Sequence, residues 1–147
     1  IFDAVAAVDR YDEFLPWCLE SSVRERVPCP SGQGDAELST SVSVGFSRVR
    51  ADFCSHVTLE RFEAIRAESE PNEYLEHLAF TWNFAPVGED ACRLDLCLDF
   101  SLRKLEHVVL WDLMRDRIVG EYLASFQQRC AEQVRVAAAS GARGWGS

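Results

Sequence analysis

The sequence has 147 residues, of which 48% are hydrophobic and 27% are charged, so its composition is that of a folded globular chain. This length favours a single domain. Asp and Glu total 24 against 15 Lys and Arg, which gives a formal net charge of −9. Such a charge repels phosphate backbones, and it therefore argues against nucleic-acid binding and against a polybasic membrane anchor.

Membrane-spanning and targeting segments are not evident in the sequence. The longest apolar runs are far shorter than the about 20 residues that a transmembrane helix needs. Residue 1 is isoleucine, so we expect a partial or processed chain whose targeting segment is not part of it.

The six cysteines lack the spacing of a metal site or of a disulfide scaffold. They include no Cys-x-x-Cys pair, and no set of histidines and cysteines converges as a zinc site requires. Small disulfide scaffolds are also richer in cysteine than this chain. We therefore predict six reduced, mostly structural thiols in a reducing compartment, and no metal.

The N-terminal region is predicted to be helical and then extended. Tyr11, Phe14 and Leu15 recur at helical spacing, which predicts one or two short helices over 3–15, and Pro16 ends them. Residues 17–27 are predicted to be extended, and the prolines and glycines of 28–35 predict a loop.

From Ala36 onward the hydrophobic pattern has a period of two, which is typical of strands with one apolar face. We predict five or six antiparallel strands joined by short turns, and such a sheet must pack against a helix or close on itself. The clearest segments are 36–46, 51–60, 78–84 and 92–102, and 62–70 is a weaker strand candidate.

A long helix is predicted after the last strand. Residues 104–139 contain no proline, and their apolar residues form one stripe at helical spacing. Residues 140–147 are predicted to be a flexible tail, so the domain is placed at 1–139. The predicted fold class is α+β, with a curved antiparallel sheet wrapped around one long C-terminal helix. Whether the space between them is filled or hollow stays open.

The N-terminal motif is similar to a known family. The run Tyr11-x-x-Phe14-Leu15-Pro16-Trp17-Cys18 resembles the opening helices of the mitochondrial coenzyme Q-binding proteins, which belong to the START-like polyketide cyclase/dehydrase superfamily. That family has the helix-grip fold and begins with a strand, which we expect to be missing here. Further motifs agree in order and spacing and extend the resemblance over 2–135. They are Phe53-x-Ser55-x-Val57, Leu78-x-x-x-Trp82-x-Phe84-x-Pro86, and Phe100-x-Leu102 leading into a helix with Ala124-x-Phe126-x-x-Arg129.

The resemblance implies a carrier and not an enzyme. It implies that ubiquinone (coenzyme Q) or a related polyprenyl lipid is bound in an apolar cavity, with no other cofactor, in support of quinone biosynthesis and respiratory electron transport. It also implies a peripheral position on the matrix side of the mitochondrial inner membrane, near quinone-biosynthesis or respiratory complexes.

Two alternatives of the same fold stay open. Bacterial relatives have been described as ribosome-associating inhibitors of translation, but a net charge of −9 disfavours ribosome binding. A cyclase-like enzyme would need an acid or base in the cavity. We predict no catalytic residue, because no inward strand position that we identify holds Asp, Glu or His.

Two polar residues are included among the candidate ligand-binding residues. Ser55 lies on an apolar strand face, where it could bond a quinone oxygen or a local partner. Arg115 falls at the centre of the helical stripe, where it could donate to a quinone carbonyl or extend to solvent. The full set is Phe14, Leu15, Trp17, Phe46, Phe53, Ser55, Val57, Leu78, Trp82, Phe84, Leu96, Leu98, Phe100, Trp111, Arg115 and Tyr122.

The first half of the long helix is apolar nearly all round. Val109, Leu110, Leu113 and Met114 lie outside the inward stripe. Either the loop at 28–35 covers them or they contact a membrane. These four residues are the predicted membrane contact.

Overall fold

The computed structural model describes residues 1–29, 35–46 and 49–144, with side chains at 1–29, 35–45 and 50–136. A short α-helix and a 3-10 helix precede six strands and a long α-helix. The elements are α1 (Phe2–Ala6), the 3-10 helix (Val8–Glu13), β1 (Cys18–Pro28), β2 (Ala36–Phe46), β3 (Val49–Glu60), β4 (Ala64–Ser69), β5 (Leu75–Val87), β6 (Ala91–Leu102) and α2 (Leu105–Gly144).

The six strands form one antiparallel sheet in which each strand pairs with the next along the chain, in the order β1-β2-β3-β4-β5-β6. Strands with one apolar face and short connections produce this meander. The predicted fold class is therefore confirmed. The predicted loop at 28–35 lies mostly at 30–34, outside the described residues.

The N-terminal helices are shorter and tighter than predicted. Ala7, with φ −80° and ψ 64°, leaves the helical region and separates α1 from the 3-10 helix. The hydroxyl of Tyr11 donates to the carbonyl of Val5, which ties the two short helices together.

The long helix α2 extends to Gly144, beyond the predicted end at residue 139. The start of the predicted tail is thus helical, and residues 145–147 lie outside the described part of the chain. Within that part, no helix combines the length and hydropathy of a bilayer-spanning segment.

The core lies where the second half of α2 crosses the sheet beside the N-terminal helices. Phe126 is fully buried, and its ring contacts those of Tyr11, Trp82 and Tyr122 with centroids 5.2–5.5 Å apart. Val5 and Leu38 are also fully buried in this cluster.

A charged contact fixes α2 to the 3-10 helix at the same end. The guanidinium of Arg129 donates to the carboxylate of Glu13 at 2.7 Å and lies over the ring of Phe14, 5.2 Å from its centroid. The first half of α2 also contacts the sheet, where the ring of Tyr122 stacks on that of Trp82 with centroids 6.3 Å apart. The side chain of Phe100 meets that of Trp111 there, with ring centroids 5.2 Å apart.

Candidate functional site

A cavity of about 350 Å³ lies between the concave face of the sheet and α2. Small-molecule sites occupy roughly 300–1,000 Å³, so the cavity can hold a ligand or part of one. Its wall comes from all six strands, from α2 and from the segment around the 3-10 helix. The lining residues are Val8, Tyr11, Leu15, Pro16, Trp17, Cys18, Thr40, Val42, Val44, Phe53, Ser55, Val57, Ile65, Ala67, Ser69, Leu75, Leu78, Phe80, Trp82, Leu96, Leu98, Phe100, Leu102, Trp111, Ile118, Val119 and Tyr122.

The wall is apolar and uncharged. Among the residues that the structure describes, it contains no Asp, Glu, His, Lys or Arg. Alternation explains this, because the charged residues of each strand occupy the opposite face. A cavity of this kind favours an apolar ligand and offers no carboxylate or imidazole for acid–base chemistry.

Three hydroxyl side chains interrupt the apolar wall in one line across the sheet. Thr40 on β2 lies opposite Ser55 on β3, which lies opposite Ser69 on β4. The hydroxyl of Thr40 donates to the carbonyl of Ser55 at 3.3 Å, and the hydroxyl oxygens of Ser55 and Ser69 are 2.7 Å apart. We call these three residues the hydroxyl row.

Trp17 reaches the cavity from a strained backbone. Its φ of 65° lies in the left-handed region, which costs a non-glycine residue about 1–3 kcal/mol. The amide of Gly45 donates to the carbonyl of Trp17 at 2.9 Å and holds this conformation. A Cβ at Gly45 would lie 2.8 Å from the end of the Leu19 side chain, so a larger residue at position 45 would require that side chain to move.

The titratable groups of the wall stay neutral at neutral pH. Burial raises the pKa of the Tyr122 phenol well above its ordinary value, and the nearby Cys18 raises it further. Burial also raises the pKa of Tyr11 and, with help from Asp12, the pKa of the Cys18 thiol. The site therefore presents hydroxyl groups and apolar surface without charge.

The profile of the family described as polyketide cyclase/dehydrase and lipid transport matches residues 1–127. The chain belongs to this family. The predicted START-like membership is thus confirmed.

Individual relatives and solved structures agree with the family. The chain is 30% identical over 148 residues to the mitochondrial coenzyme Q-binding protein COQ10 homolog B of Xenopus laevis, a match that spans 95% of this chain but only 58% of that protein. It is 31% identical over 101 residues to the ribosome association toxin RatA of Pseudomonas aeruginosa, with 69% of this chain and 65% of the toxin covered. The Zhui aromatase/cyclase from Streptomyces sp. R1128 shares the fold, with a TM-score of 0.77, 16% identity and coverage of 92% and 87%.

In this family member, the structure places most of the predicted ligand residues on the cavity wall. Their binding role itself stays a prediction. Those on the wall are Leu15, Trp17, Phe53, Ser55, Val57, Leu78, Trp82, Leu96, Leu98, Phe100, Trp111 and Tyr122.

Three predicted residues lie elsewhere. Arg115 is 57% exposed and pairs with Asp116 at 3.7 Å, because its long side chain extends to solvent. Phe14 packs against Phe126 and Phe84 against Phe2, so both belong to the core and not to the cavity wall. The side chain at position 46 lies outside the described residues.

Thr40 and Ser69 line the cavity but are not among the predicted site residues. Thr40 occupies an inward position in the alternation of β2, and Ser69 is the last residue of the weakly patterned β4. The sequence signal for both residues is a polar side chain within a series of apolar ones. Only the strand register shows that Thr40 and Ser69 lie on either side of Ser55.

The first half of α2 exposes an apolar surface. Leu105 is 78% exposed, Val109 54%, Leu110 52% and Leu113 80%, and we call these four residues the apolar patch. Met114 is half-buried. Trp111, on the same turns of the helix, lines the cavity, so the apolar patch is next to the cavity wall.

Proposed function

We propose that this protein binds a polyprenyl quinone of the coenzyme Q class in the cavity and carries it without altering it. The observation that supports this is the cavity of about 350 Å³, apolar except for a few hydroxyl groups. Such a wall matches a molecule with a long hydrocarbon tail and a ring that carries a few oxygen atoms. The name of the Xenopus relative supports the same ligand class.

The energetics suit reversible carriage. An isoprenoid unit has about five carbons and, at about 0.8 kcal/mol for each buried CH₂, gains about 3–4 kcal/mol when it leaves water. A bilayer gives a similar gain, so transfer between bilayer and cavity is nearly balanced. A carrier needs this balance, because a ligand held much more tightly would not be released.

A non-enzymatic role is supported by the chemistry of the wall. In the described part of the cavity, the ionisable groups are phenols and a thiol whose pKa values are raised by burial. These groups are protonated at neutral pH, so none acts there as a general base. The aromatase/cyclase neighbour shares the fold at 16% identity and carries no argument about chemistry.

The proposed working place is the matrix face of the mitochondrial inner membrane, where quinone would pass to biosynthetic or respiratory complexes. The mitochondrial name of the Xenopus relative supports the organelle. The apolar patch supports a peripheral membrane contact, because exposed apolar clusters bury themselves in partners or lipid.

Mass spectrometry of the organic extract of the purified protein tests the proposal. The protein is expressed in a host that makes polyprenyl quinones, and an unrelated protein purified in the same way is the control. We expect a polyprenyl quinone at fixed stoichiometry in the first extract and none in the second. An empty extract from well-folded protein would contradict the proposal.

Ribosome binding is the second candidate, and the likeness to RatA supports it. The net charge of −9 opposes contact with ribosomal RNA, since phosphate backbones attract basic surfaces. We expect the protein to stay in the supernatant when ribosomes are sedimented at low salt. Co-sedimentation that salt abolishes would favour this second function.

A further inference from the structure

The hydroxyl row is a polar stripe in an apolar wall. Thr40 and Ser69 are buried, with 3% and 8% exposure, and both line the cavity together with Ser55. Along the strands their neighbours on the same face are apolar, as Val42, Val57 and Ala67 show. A ligand oxygen in this part of the cavity would therefore find hydroxyl partners in a fixed place.

Among the described residues, one hydroxyl proton of the row has no protein acceptor. Each Ser or Thr hydroxyl has one proton to donate. The Thr40 hydroxyl donates its proton to the carbonyl of Ser55. Ser55 and Ser69 together have two hydroxyl protons, and one of them forms the hydrogen bond between the two hydroxyl groups. The second proton of the pair has no acceptor among the described residues. Burying a donor without an acceptor is unfavourable, so a ligand acceptor at this point adds binding free energy.

We propose that the hydroxyl row is the subsite for the oxygen-bearing ring of the ligand, and that the pair of Ser55 and Ser69 donates one hydrogen bond to a ring carbonyl. This inference rests on the proposed function and adds the orientation of the ligand. The same line of the sheet continues from Ser69 through Leu78 to Phe100, whose ring contacts Trp111. The tail follows this apolar line toward α2 and the apolar patch.

The pair also accommodates the reduced ligand. A hydroquinone hydroxyl oxygen accepts as well as donates, so the pair can donate its second proton to it as it does to a quinone carbonyl. Either of the two oxygens can be the donor in their mutual contact. The oxidised and reduced ring therefore bind with similar affinity, as a carrier of both forms requires.

Calorimetric titration with three probes tests the subsite. The probes are a decyl-benzoquinone, its hydroquinone kept under reducing conditions, and decylbenzene, which has the tail and ring without oxygens. We expect the two oxygenated probes to bind the wild-type protein within about threefold of each other, and about three- to tenfold more tightly than decylbenzene. In the double variant Ser55→Ala/Ser69→Ala, this preference disappears while decylbenzene binds as before.

The double variant is chosen because removing both partners of a hydrogen bond disturbs folding least. Ser101→Ala, on the exposed face of β6, is the matched control and keeps the full preference. Ser55→Ala and Ser69→Ala alone each leave one hydroxyl, so each retains part of the preference and gives a second reading if the double variant is unstable.

The outcomes separate this inference from the proposed function. Wild-type protein that binds decylbenzene as tightly as the quinone overturns the subsite but not the apolar cavity. A double variant that keeps the full preference for the quinone also overturns the subsite. Wild-type protein that binds none of the probes overturns both proposals.

Discussion

The ring of Trp82 meets the ring of Phe126 edge to face, with centroids 5.2 Å apart and planes at 67°. This contact lies where the filled and hollow parts of the space between sheet and helix meet, because Phe126 is core and Trp82 also lines the cavity. Beyond Trp82, sheet positions such as Ser55 and Ala67 carry short side chains. Short side chains under the helix leave volume unfilled, and this difference produces the cavity.

Phe100 and Phe126 should therefore respond differently to truncation. Phe126→Ala empties a fully buried core position and should lower the free energy of unfolding by about 3–5 kcal/mol. Phe100→Ala widens a cavity that already exists, so we expect the free energy of unfolding to fall by about 1 kcal/mol or less. The same variant should lose about tenfold in quinone affinity, because Phe100 lines the cavity. Urea unfolding and calorimetric titration measure the two quantities. Equal destabilisation by both variants would show that Phe100 is ordinary core.

The fold was predictable because its signals are local. Alternation from Ala36 to Phe46 and the unbroken stripe after Lys104 each reflect burial of one face, which any compact arrangement requires. Arg115 was assigned to the cavity from helical phase alone, and phase does not show how far a long side chain extends.

The hollow interior and the hydroxyl row were not predictable in the same way. The alternating pattern that places Phe53 and Phe100 on the inner face is the same whether the interior is filled or hollow. Whether side chains fill the interior depends on contacts between residues far apart in sequence. The alignment of Thr40, Ser55 and Ser69 depends on the register of three strands. Alternation fixes which face a side chain occupies but leaves register open to other determinants.

Filling the cavity is the most direct test of its use. Ala67 lines the cavity, so Ala67→Phe should occupy the space of the ligand and remove quinone from the organic extract. Because the new ring enters empty volume, we expect thermal stability to be unchanged or higher. In a filled interior the same change would cost about 1–3 kcal/mol through overpacking.

The matched control for this filling is Ala79→Phe. Ala79 is on the neighbouring strand β5 but is absent from the described cavity lining. The Ala79→Phe variant should therefore contain as much quinone as the wild type. Loss of quinone in both variants would point to a general effect of the added ring and not to the cavity.

The apolar patch predicts binding to lipid vesicles. Leu110→Lys/Leu113→Lys places two charges at positions that are 52% and 80% exposed, so folding should be little affected. We expect at least about a tenfold loss in sedimentation with phosphatidylcholine vesicles, because burying each leucine contributes about 1.5–3 kcal/mol when complete. Val134→Lys/Val136→Lys, at 62% and 66% exposure farther along α2, is the control and should bind vesicles like the wild type. Equal losses in both variants would mean that charge, and not the patch, governs the binding.

Alkaline pH should destabilise the protein through Tyr122. Burial raises the pKa of its phenol well above the ordinary value of 10.0, so the folded state holds the proton more tightly than the unfolded state does. This contribution to stability is complete below about pH 10 and is lost as the pH rises further.

Tyr122→Phe removes that titration. Burial and the nearby Cys18, and no hydrogen bond, raise the pKa of the Tyr122 phenol, so we expect little change in the free energy of unfolding at neutral pH. Between about pH 9 and about pH 11 the variant should lose stability more gradually than the wild type. Tyr11→Phe is the informative comparison, because this variant also loses the hydrogen bond to the Val5 carbonyl. Its free energy of unfolding should be lower than that of the wild type by about 1 kcal/mol already at neutral pH. Urea unfolding across this range measures all three proteins, and identical slopes for wild type and Tyr122→Phe would show that the phenol titrates equally in the folded and unfolded states.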